Sequence, residues 1–192
     1  MRGRSVRAAA VLAAFGLGAG ALVGAVPTVG GVAGGGGPGS GLPGAVSAHA
    51  VVVSVDGLRP DAVARFGLKT VERLMREGAY TLEAQTVLPS KTLPAHTSML
   101  TGVPPAEHGV TWNSDEVAVQ GLVRVPTVFE LARAHGLRTA AFFSKSKFRH
   151  LQKPGTLDYT RAPSGAEKWL ATQTVGDAVS YLEHARPNLL FV

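Results

Sequence analysis

Val51-Val52-Val53-Ser54-Val55 is a β-branched run halted by Asp56-Gly57. This feature narrows the choice of fold more than any other. A short apolar run bounded by a turn is the pattern of a buried strand, and parallel sheets are built from such strands. From Gly57 onward, helix and strand signals alternate along the chain. Pro60 or Asp61 opens a helix, and Val71, Leu74 and Met75 keep helical spacing up to Gly78. Tyr80–Val87 is a second strand candidate. Thr92–Thr101 reads as a short helix entered through Pro94 and closed by Gly102. Thr127 and Glu130 match a capping box, for a helix running to His135-Gly136. Arg138–Ser144 is a third strand. Gly165–Ala185 is mostly helical, in one piece or in two around Thr174–Gly176, and Asn188–Val192 begins a fourth strand. The expected fold is therefore α/β: a largely parallel, doubly wound sheet with helices on both faces.

The first fifty residues obey a different rule. They hold 14 of the 24 glycines, and Arg2, Arg4 and Arg7 are their only charges. A basic start, the apolar Ala8–Val26, a Gly/Pro tract over Pro27–Gly44 and a small-x-small ending at Ala48-His49-Ala50 give the order of a secretory signal. A cleaved signal fits this best. An uncleaved anchor would need Ala8–Val26 to span a bilayer, and its Ala and Gly content makes it weakly hydrophobic for that. Translated upstream sequence is the third reading. Residues 1–50 are thus expected to be signal and linker, poorly ordered apart from a helix over Ala8–Val26, and 51–192 to form the domain. The first two readings place that domain in a secreted or extracytoplasmic location, with membrane attachment only if the segment stays uncleaved.

Charge excludes little but argues against nucleic acid. Beyond residue 50 the balance is 16 − 13 = +3, with both signs interspersed. A mild surplus without a basic block is a solvated surface. The absence of cysteine excludes disulfides and Cys-based zinc or redox sites.

Ligands of parallel sheets collect outside the carboxyl ends of the strands. Two segments can meet there. Asp56 closes the first strand, where its carboxylate can bind a divalent cation or serve as a turn or N-cap aspartate. Leu88–His96 puts Ser90, Lys91 and Thr92 at the entry to a helix. A hydroxyl there either caps the helix or, helped by the positive end of the dipole, acts as a nucleophile beside a bound phosphate.

Residues 88–113 read LPSKTLPAHTSMLTGVPPAEHGVTWN, after VVVSVDGLRPD at 51–61. Together these closely resemble the type I phosphodiesterase/nucleotide pyrophosphatase family of the alkaline phosphatase superfamily. That family's pattern is a strand ending in Asp-Gly, then Lys-Thr-Phe-Pro-Asn-His, Thr-Gly, a Pro-x-x-His-Gly turn and an Asn soon after. Leu93 stands where the family has Phe, and Ala95 where it has Asn. The resemblance covers roughly residues 50–192 and is strong at the two motifs.

It implies an alkaline-phosphatase-like fold and an exported, metal-dependent hydrolase of phosphodiesters or nucleotide pyrophosphates. Its partner would be a small phosphate-ester or nucleotide substrate. Two divalent metal ions, zinc in this family, would be the cofactors. Asp56 would bind one metal, Thr92 would be the nucleophile and also touch metal, and Asn113 would donate to a phosphate oxygen. Lys145 and Lys147, after the third strand, are candidate substrate-binding residues or part of a solvated basic loop. They resemble the Lys-x-Lys of the phosphonoacetate hydrolases and so keep phosphonate or phosphomonoester substrates open. His96 and His108 are read as packing residues, and His135, His150 and His184 carry no ligand spacing. The family's remaining metal ligands, Asp and His after a later strand, have no counterpart here. The chain is accordingly expected to be an N-terminal fragment, incomplete at the C-terminus and inactive alone, or else a non-catalytic truncated relative.

Overall fold

The structure is a computed structural model that describes residues 8–14, 47–165 and 167–192. Its strands are β1 (Ala8–Ala14), β2 (His49–Val55), β3 (Thr139–Phe142), β4 (Tyr159–Arg161) and β5 (Leu189–Phe191). They form one sheet in the order β1-β2-β5-β3-β4, with every pairing parallel. The helices are α1 (Pro60–Arg65), α2 (Lys69–Glu77), α3 (Thr92–Thr101), α4 (Pro105–His108), α5 (Val117–Gln120), α6 (Val128–Ala134) and α7 (Ala171–Ala185), with a 3₁₀ helix over Ser146–Leu151.

Period-two alternation along the strands explains the two helical layers. Ala141, Phe143, Leu189 and Phe191 face the larger core, with Leu93 and Leu100 of α3, Phe129 of α6 and Phe148 of the 3₁₀ helix. Their neighbours Ala140, Phe142 and Leu190 face the opposite way, against Ala178, Tyr181 and Leu182 of α7. The sheet is doubly wound, as the alternating pattern requires. Phe143 stacks on Phe148 with ring centroids 5.0 Å apart, and Phe191 meets Phe129 edge-on at 6.5 Å.

Several sequence expectations need correction. Tyr80–Val87 forms no strand. Tyr80 and Leu82 are 62% and 48% exposed, so β propensity there has no neighbour to pack against. The helical pattern over 60–77 breaks in two at Gly67, whose φ of +56° ends the first helix. The last helix is a single piece that starts at Ala171 rather than Gly165. Ala8–Ala14, expected to be helical, is an edge strand in register with His49–Val55. The outer edge of β2 offers a row of unpaired N–H and C=O groups, and pairing with it overrides helix propensity. Residues 15–26 of that expected helix, and the Gly30–Gly44 tract, lie outside the described residues. Among the described residues no helix is long and apolar enough to cross a membrane.

Candidate active site

The carboxyl ends of β2 and β3 and the N-terminus of α3 meet at one rim. Asp56 directly follows β2, and Gly57 at φ +85° turns the chain back, a conformation that L side chains resist. Asp56 does not cap α1, whose N-cap position is Arg59. Thr92 is the first residue of α3, after Lys91 at the N-cap. Its hydroxyl leaves the helix backbone alone and donates to Asp56 Oδ2 at 3.0 Å. The Thr92 oxygen thus points to the Asp56 carboxylate and does not cap the helix.

Lys145 follows β3 and donates to the same Asp56 oxygen at 2.5 Å. Burial pushes the Asp56 carboxyl up. The hydrogen bond and charge of Lys145, with the hydrogen bond from Thr92, outweigh that and leave it below its ordinary value. Lys147, two residues on, is pushed down by burial and by the charge of Lys145, against the pull of Asp56.

Asn113 arrives from the loop between α4 and α5. Its Oδ1 accepts from Leu93 N at 3.0 Å and from Lys147 Nζ at 2.7 Å. Two donors on one oxygen fix which end of the amide is which, with Nδ2 as its donor end. Beside this group lies a cavity of about 350 Å3, with Asn113, Lys145, Lys147 and Lys168 on its wall. The structure therefore brings Asp56, Thr92, Asn113, Lys145 and Lys147 together.

His96 lies behind the rim, 3% exposed. Its Nδ1 donates to Thr92 O at 2.7 Å, and its Nε2 pairs with Ser54 Oγ of β2 at 2.8 Å. Its burial between Phe148 and Phe191 holds its pKa down. His96 ties α3 to β2 and so sets the distance between Thr92 and Asp56. His108 accepts from Val110 N at 3.0 Å and pairs with Ser98 Oγ at 2.9 Å.

Asp56 and Thr92 offer two hard oxygen donors, the donor type a divalent cation takes. The ammonium on Asp56 Oδ2 shows that this position already favours positive charge. Among the described residues no group of three or more His, Cys, Asp or Glu could hold a metal ion. The donors present fit one side of a metal site.

The family model described as type I phosphodiesterase / nucleotide pyrophosphatase matches residues 50–188, which contain the whole of this rim. The chain belongs to that family. Among its relatives, the Xenopus laevis bis(5'-adenosyl)-triphosphatase enpp4 is 35% identical over 63 residues, 33% of this chain and 14% of that protein. The human ectonucleotide pyrophosphatase/phosphodiesterase family member 1 is 35% identical over 65 residues, 33% of this chain and 7% of its own length. A phosphonoacetate hydrolase from Sinorhizobium meliloti 1021, solved with phosphonoacetate, superposes with a TM-score of 0.56 at 25% identity. That superposition covers 75% of this chain and 45% of the hydrolase, so the chain spans less than half of that solved relative. The likeness confirms the alkaline-phosphatase-like parallel sheet with its helices.

Proposed function

We propose that this member of the family is an exported, metal-dependent hydrolase of phosphate esters that works through Thr92. The observation that carries the reading is the Thr92 hydroxyl, set at the start of α3 and donating to the Asp56 carboxylate 3.0 Å away. In the reaction, Thr92 Oγ1 forms a bond to phosphorus as the bond to the leaving-group oxygen breaks. Water then cleaves the threonyl phosphate. Asp56 and Thr92 would hold the metal. When bound, two divalent ions, zinc in this reading, supply the Lewis acidity that makes a threonine hydroxyl nucleophilic near neutral pH. Asn113 donates from Nδ2 to the phosphate oxygen on which charge builds, and the α3 dipole adds to that stabilisation. Residues 1–50 are read as signal and linker, whose cleavage would take β1 from the sheet edge, and 51–192 as the hydrolase domain.

Three substitutions in the complete, zinc-loaded enzyme test this, because they fail in different ways. Thr92→Ala should abolish turnover while keeping most of the bound zinc. Asp56→Asn should lower zinc content. Asn113→Ala should keep the metal and lose about 3 kcal/mol of transition-state stabilisation, roughly a hundredfold in rate. Near-normal turnover by Thr92→Ala would falsify the covalent route.

A second reading is favoured by Lys145, Lys147 and Lys168, which outnumber Asp115 and Glu167 around one cavity, and by the likeness to the phosphonoacetate hydrolase. Three ammonium groups suit a substrate with more negative charge than a diester, such as a phosphonate or a monoester. A panel of phosphonoacetate, an aryl phosphomonoester, an aryl phosphodiester and a nucleotide pyrophosphate separates the two. A preference for the diester or the pyrophosphate that survives Lys147→Ala rejects this second reading.

A further inference from the structure

His150 is fully buried at 0% exposure and takes no part in the chemistry above. It sits in the 3₁₀ helix, three residues after Lys147. All of its ring's hydrogen-bond partners come from the strand-poor segment that carries Asn113. Its Nδ1 lies 2.7 Å from Gly121 O. Its Nε2 lies 3.2 Å from Trp112 Nε1 and 3.1 Å from Glu116 N. These partners leave no freedom in the assignment. A carbonyl only accepts, so Nδ1 carries the proton. An indole N–H and a backbone N–H only donate, so the Nε2 lone pair receives both. The main chain adds a further link, Val123 N to His150 O at 2.9 Å.

We propose that His150, with its proton on Nδ1, is the positioning residue that holds Asn113 at the rim. The inference rests on reading Asn113 as the donor to phosphate. Trp112 is the residue next to Asn113, and Glu116 lies just beyond, so two bonds to one nitrogen pin the loop on either side of the amide. The Trp112 ring also packs edge-on against the imidazole, with centroids 5.2 Å apart. Two other joints link the same segments. Lys147 reaches Asn113, and Arg149 pairs in two bonds with Asp115 at 2.9 and 3.0 Å. The Arg149 side chain is 47% exposed, so solvent screens that pair. The His150 bonds are shielded from water and hold more firmly. Through them the 3₁₀ helix that carries Lys147 also sets the place of Asn113, so the cation and the amide move as one unit.

The test compares His150→Phe, which keeps the ring and loses every ring hydrogen bond, with His150→Gln, which restores an acceptor. Two readouts are taken on the zinc-loaded protein. Hydrogen exchange at the indole N–H of Trp112 should speed up at least about tenfold in His150→Phe, since an amide-type N–H exchanges through opening of its bond. With an aryl phosphate ester, kcat should fall about tenfold to a hundredfold while KM stays within about twofold, as for a misplaced catalytic group. His150→Gln should recover most of both. In an Asn113→Ala background, His150→Phe should cost less than about twofold, because its effect passes through Asn113. An equal loss of kcat in both backgrounds, or unchanged indole exchange, overturns the proposal. Should His150→Phe fail to fold, Trp112→Phe removes the indole donor together with its five-membered ring, leaves the imidazole in place, and carries the same kinetic comparison. If the complete wild-type enzyme turns over no phosphate ester, the functional reading fails. The order of the Asn113 side-chain amide by NMR, wild type against His150→Phe, then still decides the positioning.

Discussion

Asp56 receives a hydroxyl and an ammonium on the same oxygen, and the two sources of its acidity can be separated. Burial raises its pKa, while Lys145 lowers it by hydrogen bond and charge and Thr92 adds to that effect. In metal-free Lys145→Met the burial effect is opposed only by the Thr92 hydrogen bond and the charge of His96, so the Asp56 carboxyl should titrate at higher pH than in the wild type. Its side-chain carbon followed by NMR through acid titration checks this, and an unmoved midpoint contradicts it. A lowered folded-state pKa contributes stability above the ordinary value of 3.8, and that contribution fades as pH falls through the folded value. Lys145→Met should therefore flatten the acid side of the stability profile. At this scale much of the site is legible in the sequence. Asp56, Thr92 and Asn113 sit inside compact motifs whose spacing is local. Lys145 and Lys147 are visible there only as a basic pair after a strand, because their partners are 89 and 34 positions away. His150 is not legible. Nothing near it in sequence indicates that Gly121, Trp112 and Glu116 will converge on one ring.

Thr127 and Glu130 cap α6 reciprocally: Glu130 N donates to Thr127 Oγ1, and Thr127 N donates to Glu130 Oε2 at 2.7 Å. Thr127 is fully buried, so Thr127→Ala should cost about 1–2 kcal/mol in urea unfolding. The carboxylate has a second task. Burial raises its pKa, but the bond and charge of Lys153 and the Thr127 N–H bring it below the ordinary 4.5. Its contribution is present above 4.5 and is lost as pH falls through the lower folded value. The stability gap between wild type and Glu130→Gln should thus be widest near neutral pH and close in acid. A gap that stays constant across that range rejects the assignment. Elements with a chemical start signal, α3 and α6, are readable from sequence to within a residue or two. The short β4 escapes such a reading because Tyr159–Arg161 is exposed throughout and carries no apolar run. Its pairing is dictated by the free edge of β3 rather than by its own residues. Tyr80–Val87 is the converse case, with strand-forming residues that make no strand.

Phe191 joins the two halves of the large core. It lies against Phe129 and Phe143 and is 2% exposed. Phe191→Ala should lose about 3–5 kcal/mol, whereas Leu131→Ala on the exposed face of α6, at 58% exposure, should stay within about 0.5 kcal/mol. Urea midpoints at constant slope measure both, and similar losses at the two sites would contradict the layering. The doubly wound class is readable because β2, β3 and β5 are apolar on both sides. The strand order is not readable, since no local pattern states which edge a strand will seek. That order has a consequence in time. The central slot, between β2 and β3, is filled by β5, and His49 reaches Pro187 across 138 positions of chain. A ribosome delivers residues in sequence, at about 5–20 per second. Until residues 189–191 emerge, β2 and β3 have no strand between them. The sheet therefore stays open between its two middle partners until β5 has been made.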